Sequence, residues 1–299
     1  MTYGELFYQG KDILSSVGIE EAKLDARLLL EYVCGTDLGD LLVHGDREVH
    51  PDQESAYVAL IARRAERIPL QYLTGTQDFM GLTFAVSESV LIPRQDTEIL
   101  VEEVLKYLHD GMKVLDMCTG SGCILISLLH YTNHCEGVGI DISQSALDLA
   151  KQNGERLLDG KSDAGEGEGF GSIRFLQGDL FEPVEGKFDV IVSNPPYIRS
   201  GETQALMPEV RDHEPLQALD GGADGLLFYR RIVAESGKYL YGGGMLFFET
   251  GCDQAEAVGE LMRQAGFLDI RVVKDYGGLD RVVSGTLGFG EAGRNSKEW

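Results

Sequence analysis

The sequence predicts an α/β protein in two parts: a small N-terminal helical bundle, then a doubly wound, mostly parallel sheet with an antiparallel final strand. Three observations carry this expectation. Up to about residue 70, apolar residues recur only at helical spacing. Beyond about residue 112, short β-branched runs alternate with helical stretches, the pattern of a parallel sheet covered on both faces. The last two runs, LDIRVVKD and DRVVSGTLG, flank Tyr276-Gly277-Gly278 and leave no room for a crossover helix, so they must pair antiparallel.

In the first part, Tyr3, Leu6, Phe7, Ile13, Leu14 and Val17 form one helical stripe with Gly18 as its stop. A second helix runs from about Glu20 to Val33 on Ala22, Ala26, Leu29 and Val33. Pro51 suits the first turn of a third, to Ile68, and Pro69 closes the bundle. The stretch DFMGLTFAVSESVLI then reads as a hairpin bent near Gly81, joining two domains. After a helix in DTEILVEEVLKYL come the strands VLDMC, GVGID, IRFLQ, FDVIVSN and MLFFET, with a helical stretch after each of them except IRFLQ. The acidic, glycine-rich run 160–171 reads as a mobile loop, and 289–299 as a flexible tail.

Composition narrows the function. With 299 residues, 43% hydrophobic, the chain can bury a real core. No run reaches the roughly 18 apolar residues of a membrane span. The start MTYGELFYQGKD has neither a basic nor an apolar leader region, so a cytoplasmic location and no membrane partner are expected. Five scattered cysteines, without a CxxC pair or a histidine at zinc spacing, read as reduced thiols and give no metal site. A formal net charge of −23 opposes a partner held mainly through phosphates, so no direct nucleic-acid partner is expected.

The chemistry gathers at strand ends. Val114 to Cys123, VLDMCTGSGC, is a strand, a tight turn of small residues and a helix start. Gly120 and Gly122 let the backbone approach a ligand where the helix presents free N–H groups. The next strand ends in Asp141, about where doubly wound folds place an acid on ribose hydroxyls. The spacing is not GxGxxG, so nothing specifically invites a pyrophosphate. The third strand ends in Gln177-Gly178-Asp179-Leu180. The fourth runs straight into Asn194-Pro195-Pro196-Tyr197, where proline, lacking an N–H and fixing φ, must end the strand.

A glycine turn, Asp141, Asp179 and Asn194, in chain order on one sheet edge, resemble the class I S-adenosylmethionine-dependent methyltransferases over roughly residues 94–288. That resemblance implies that Cys118, Thr119, Gly120, Ser121, Gly122, Asp141, Asp179, Leu180 and Asn194 border S-adenosyl-L-methionine, with S-adenosyl-L-homocysteine as product. The Asn-Pro-Pro-Tyr end is similar to that of enzymes methylating planar, weakly nucleophilic nitrogens. Such a nitrogen delocalises its lone pair, so its –NH2 must be held in line with the methyl donor. The Asn194 side-chain oxygen and the Pro195 carbonyl can each accept one N–H while Tyr197 stacks on the planar group, a preorganised electrostatic effect.

The segment FMGLTFAVSESVLIPRQDTE (79–98), joined to helices ending in Arg67-Ile68-Pro69-Leu70-Gln71-Tyr72-Leu73-Thr74-Gly75, closely resembles the HemK/PrmC family of protein-(glutamine) methyltransferases. It implies methylation of the glutamine in the Gly-Gly-Gln loop of bacterial class 1 peptide chain release factors. It also implies a recognition domain over 1–75, a hairpin linker over 76–93 and a methyltransferase domain over 94–288. Asn194, Pro195, Pro196 and Tyr197 would hold the glutamine, with Arg94 and Phe79 beside it. Gln95 and Cys118 depart from the family pattern, and for Arg94, Asp96 and Glu98 a capped helix start is an equal reading. Two alternatives stay open: an adenine exocyclic-amine methyltransferase acting on DNA or RNA, and a noncatalytic binding protein.

Overall fold

The computed structural model describes residues 1–159 and 171–289. The run read as a loop at 160–171, Gly171 apart, and the tail from 290 on lie outside the described residues. The chain forms two compact units: Met1–Thr76 with Leu206–His213, and Gln77–Ala205 with the chain from Glu214 on.

The first unit opens with α1 (Tyr3–Ser16), started by a reciprocal cap in which Thr2 accepts the Glu5 N–H and Glu5 accepts that of Thr2. α2 (Ala22–Cys34) follows, then α3 (Leu38–Val43), capped in the same way by Asp37 and Asp40. The sequence reading passed over α3, which is six residues long and buries none of them. α4 (Pro51–Ala65) starts at its proline as expected. Pro69 does not close the bundle. It starts a fifth helix, α5 (Leu70–Thr74), which buries Leu73. Leu6, Leu14, Ala26, Leu29, Tyr57 and Ile61 form the core. Ile13 and Val17 lie outside the buried stripe, at 38% and 40% exposure, because the core face of α1 is Tyr3, Leu6, Phe7, Gly10 and Leu14.

The hairpin β1 (Thr76–Phe79) and β2 (Leu82–Ala85) turns at Met80 and Gly81, both with positive φ. Next come α6 (Gln95–Leu105), β3 (Lys113–Met117), α7 (Cys123–His130), β4 (Glu136–Asp141), α8 (Gln144–Leu158), β5 (Ser172–Gln177) and β6 (Phe188–Ser193). After β6 the chain re-enters the first unit as α9 (Pro208–Arg211). There Glu209 accepts from Arg64 and Arg67, both at 3.1 Å, while Arg64 also binds Asp25 at 2.7 Å. The second unit resumes with α10 (Leu227–Tyr239), β7 (Leu240–Glu249), α11 (Ala255–Gln264), β8 (Phe267–Lys274) and β9 (Asp280–Leu287).

The seven-stranded sheet has the order β5-β4-β3-β6-β7-β9-β8. β3 to β7 pair in parallel, and β9 is antiparallel to both β7 and β8. The doubly wound sheet is therefore as predicted, with β9 as its reversed strand. Alternate residues supply two cores: Val114, Val190, Val192 and Phe247 face one layer, and Leu115, Ile191, Leu246 and Phe248 the other. Because β4 and β6 flank β3 on opposite sides, the strand order reverses at β3, and a crevice opens at the carboxyl ends there. Among the described residues, no helix is long and apolar enough to cross a membrane.

Candidate active site

The crevice is a cavity whose lining gathers the chemistry-bearing strand ends. Cys118, Thr119, Gly120 and Ser121 come from the turn after β3, Asp141 from β4, Asp179 and Leu180 from beyond β5, and Asn194 and Pro196 from beyond β6. Arg94 also lines it.

The turn is held from several sides. Thr119 donates its hydroxyl to Asp116 at 2.6 Å and its N–H to the Ile140 carbonyl at 2.9 Å. Asp116 is wholly buried, and burial pushes its carboxyl up to about 7 despite the Thr119 bond. Asn153 of α8, also fully buried, donates to the carbonyls of Ser121 and Ala85, which ties the hairpin to the turn. Gly120 has φ +55, and a side chain there would project into open space rather than into protein, so the backbone is laid bare for a ligand. Cys118, with φ +60, adopts a shape that favours glycine, so its departure from the family pattern leaves the turn left-handed all the same.

Asp141 accepts the Gly120 N–H through Oδ2 and the Ser143 N–H through Oδ1, both at 2.9 Å. Burial raises its carboxyl, and these backbone donors oppose the rise. Its oxygens retain lone pairs for ligand hydroxyls. Ile142 lines the cavity while 57% exposed, an apolar lip suited to a planar base. A turn bare at Gly120, an acid with spare acceptors and an apolar rim suit a ligand that joins a polar chain, a sugar and a planar base.

Asn194 stands at the end of β6 with its Nδ2 donating to Thr97 Oγ1 at 3.3 Å. Its neighbours depart from expectation in part. Pro195 and Tyr197 do not line the cavity, and the Tyr197 hydroxyl reaches Glu249 Oε1 at 3.4 Å. Burial, then the Glu249 charge, raises the Tyr197 phenol. Gln254 fixes the same residue's backbone by donating to its carbonyl at 2.9 Å. Gly122 lies behind the lining, packed against Ile126. Phe79 does not wall the cavity: it is 1% exposed and sits in the core edge-on to Phe84, because that face of the hairpin is covered by the helical layer.

Arg94 stands at the N-cap of α6 without a side-chain capping bond. It precedes α6, with Asp96 and Glu98 in the first turn, and it lines the cavity. Its guanidinium bonds both oxygens of Glu214 at 2.5 and 2.7 Å, and the Glu214 side chain is 1% exposed. Thr97 was legible only as part of the helix start, and Glu214, Glu249, and Pro215, Gln217 and Phe228 on the cavity wall carried no motif that marked them. Glu249 directly follows the apolar residues 245–248 in the run MLFFET, and an acid closing an apolar strand was a usable signal.

Residues 5–75 match the PrmC N-terminal domain family and 94–211 the methyltransferase small domain family. A release factor glutamine methyltransferase of Geobacter sulfurreducens is 45% identical over 276 residues, 92% of this chain and 93% of that one. One of Clostridium acetobutylicum is 42% identical over 270 residues, 88% of this chain and 91% of its own. Among solved structures, a methyltransferase from Pyrococcus furiosus shares the fold, with a TM-score of 0.52 at 17% identity over 76% of this chain and 99% of its own. Identity of this degree, carried through both parts of the chain, means that it belongs to the release factor glutamine methyltransferase family.

Proposed function

We infer that this protein transfers a methyl group from S-adenosyl-L-methionine to the side-chain amide nitrogen of the glutamine in the Gly-Gly-Gln loop of bacterial class 1 release factors. The observation that carries the reading is the Asn194 carboxamide at the cavity wall, with Nδ2 committed to Thr97. That leaves Oδ1 to accept an N–H from an incoming amide. The names of relatives similar over nearly the whole chain support the same substrate.

S-adenosylmethionine, when bound, supplies an electrophilic methyl on a sulfonium. Asp141 would accept from its ribose hydroxyls, Ile142 and Leu180 would border the base, and Cys118 to Ser121 the methionine part. Asn194 Oδ1 and the Pro195 carbonyl would draw on the two amide protons and so enrich the nitrogen without removing a proton in advance. Tyr197 would limit the tilt of the planar group. The helices of residues 1–75 would grip the factor, and the location is cytoplasmic.

The test offers labelled S-adenosylmethionine with a purified release factor, the same factor with its loop glutamine changed to alanine, and duplex DNA. Label on the unaltered factor alone is expected. Label on DNA would move the activity to an adenine amine, a reading the charge of −23 disfavours.

A further inference from the structure

Glu249 ends β7 beside Tyr197 and Thr97, of which Thr97 lines the cavity, yet Glu249 does not line it itself. It is 1% exposed. Its backbone is fixed twice, by pairing opposite Val282 in the sheet and by the Tyr229 hydroxyl, which donates to its carbonyl at 2.9 Å. Among the described residues the carboxylate has no salt bridge: Arg281, the cation beside it, is engaged by Asp275 at 2.9 Å and Asp96 at 3.1 Å. Oε2 is buried and has no hydrogen-bond partner among the described residues. A buried acid left this way destabilises a fold, and an apolar residue of similar size would serve packing better.

What the carboxylate does is receive. Oε1 accepts from the Tyr197 hydroxyl at 3.4 Å, and the Thr97 hydroxyl stands near enough to lower the carboxyl, in the sense a donor would. A threonine hydroxyl has one proton. With that proton turned to Glu249, Thr97 offers Asn194 only lone pairs, so the carboxamide must present Nδ2 to Thr97, as it does. Oδ1 is then left for the substrate amide. Without an acceptor at 249, Thr97 could donate to Oδ1 and turn the carboxamide over, offering the substrate a donor where an acceptor is needed.

We propose that Glu249 is a positioning residue for methyl transfer, orienting the Asn194 carboxamide through Thr97 and anchoring Tyr197 through its phenol. The inference rests on the glutamine-methylating reading above. The groups around the carboxylate are Asp96 and Thr97 of α6, Cys123 of α7, Tyr197, Tyr229 of α10 and Arg281 of β9. Burial, opposed by Thr97, Arg281 and Tyr197, pushes Glu249 up to about 7. Methyl transfer should therefore fall as pH drops below about 7, where a protonated carboxyl can donate and no longer fixes the Thr97 proton.

The test measures kcat, the KM for the release factor and the affinity for S-adenosylhomocysteine in the full chain, for Glu249→Gln, Thr97→Val, Thr97→Ser and the Gln/Val double variant. Glu249→Gln and Thr97→Val should each lower kcat by about 100-fold, the scale of a misplaced reacting group, with KM and product affinity little changed. The double variant should be no worse than either alone, and Thr97→Ser should recover most of the loss. At pH 8, Glu249→Gln should melt no lower than the parent, whereas a purely structural acid would leave it less stable. Should Glu249→Gln fail to fold, the Val and Ser variants at 97 decide. Parent-like kcat in the variants, or losses that add in the double variant, would overturn the inference while the parent still labels the factor. A parent that leaves the factor unlabelled would overturn the functional reading and this inference together.

Discussion

Single side chains at the end of β6 divide the labour. Asn194 faces the cavity, while Tyr197 is turned toward Glu249 and Pro195 is buried. Replacing Asn194 by alanine should cost about 10²–10³-fold in kcat, the loss seen when one preorganised transition-state partner is removed. S-adenosylhomocysteine should bind as before, because Asp141 and the glycine turn are untouched. Single-turnover rates and calorimetry check both halves, and equal turnover in variant and parent would remove Asn194 from the mechanism. Cys118 invites a different test. Burial raises its thiol, and the charges of Asp141 and Asp116 raise it further. Only the thiolate is an effective nucleophile. Alkylation followed by mass spectrometry at pH 8 should therefore modify the exposed Cys252 well before Cys118. Faster modification of Cys118 would show that its thiol ionises more readily than this burial allows.

Among elements, α9 is the one whose place the linear order conceals. It follows β6 in the chain yet belongs with the helical unit, where Arg64 of α4 stands between Asp25 of α2 and Glu209. Arg64→Met would leave two carboxylates without their shared cation. Breaking a buried pair from one side costs about 3–5 kcal/mol, and urea unfolding should register a loss of that order. The pH dependence has a definite sign. Burial pushes the Glu209 carboxyl up, but its backbone hydrogen bond and then Arg67 and Arg64 outweigh it, so the net shift is downward. A carboxyl lowered on folding stabilises above its ordinary value of 4.5 and loses that contribution as pH falls through the folded value. Acid unfolding of the helical unit should accordingly start at a lower pH in the parent than in Arg64→Met. Identical acid transitions would mean that the cluster contributes nothing.

At the scale of the whole molecule, two wholly buried carboxyls act in the opposite sense. Burial lifts both Asp116 and Glu249 to about 7. A carboxyl raised on folding binds its proton more tightly in the native state, so stability falls as pH rises from its ordinary value toward 7. Denaturation at pH 5.5 and pH 8 should show the lower stability at pH 8, with a smaller gap in Glu249→Gln. The charge of −23 pushes the same way through self-repulsion, but salt screens that part and leaves the buried part. A gap that vanishes in 0.5 M salt would assign the effect to the surface alone. The sequence by itself determined the alternation of strands and helices in the sheet, the antiparallel final strand, the glycine turn, Asp141 and the abrupt end of β6 at Asn194. All of these follow from periodicity, proline's missing N–H or glycine's freedom, which act between near neighbours in the chain. Tertiary structure alone decided that Phe79 joins the core, that Arg94 finds Glu214, that α9 returns to the helical unit, that Asn194 meets Thr97 and that Tyr197 meets Glu249. These depend on which faces meet and, Phe79 apart, on which donors find acceptors across more than fifty residues of chain, and no local pattern encodes that choice.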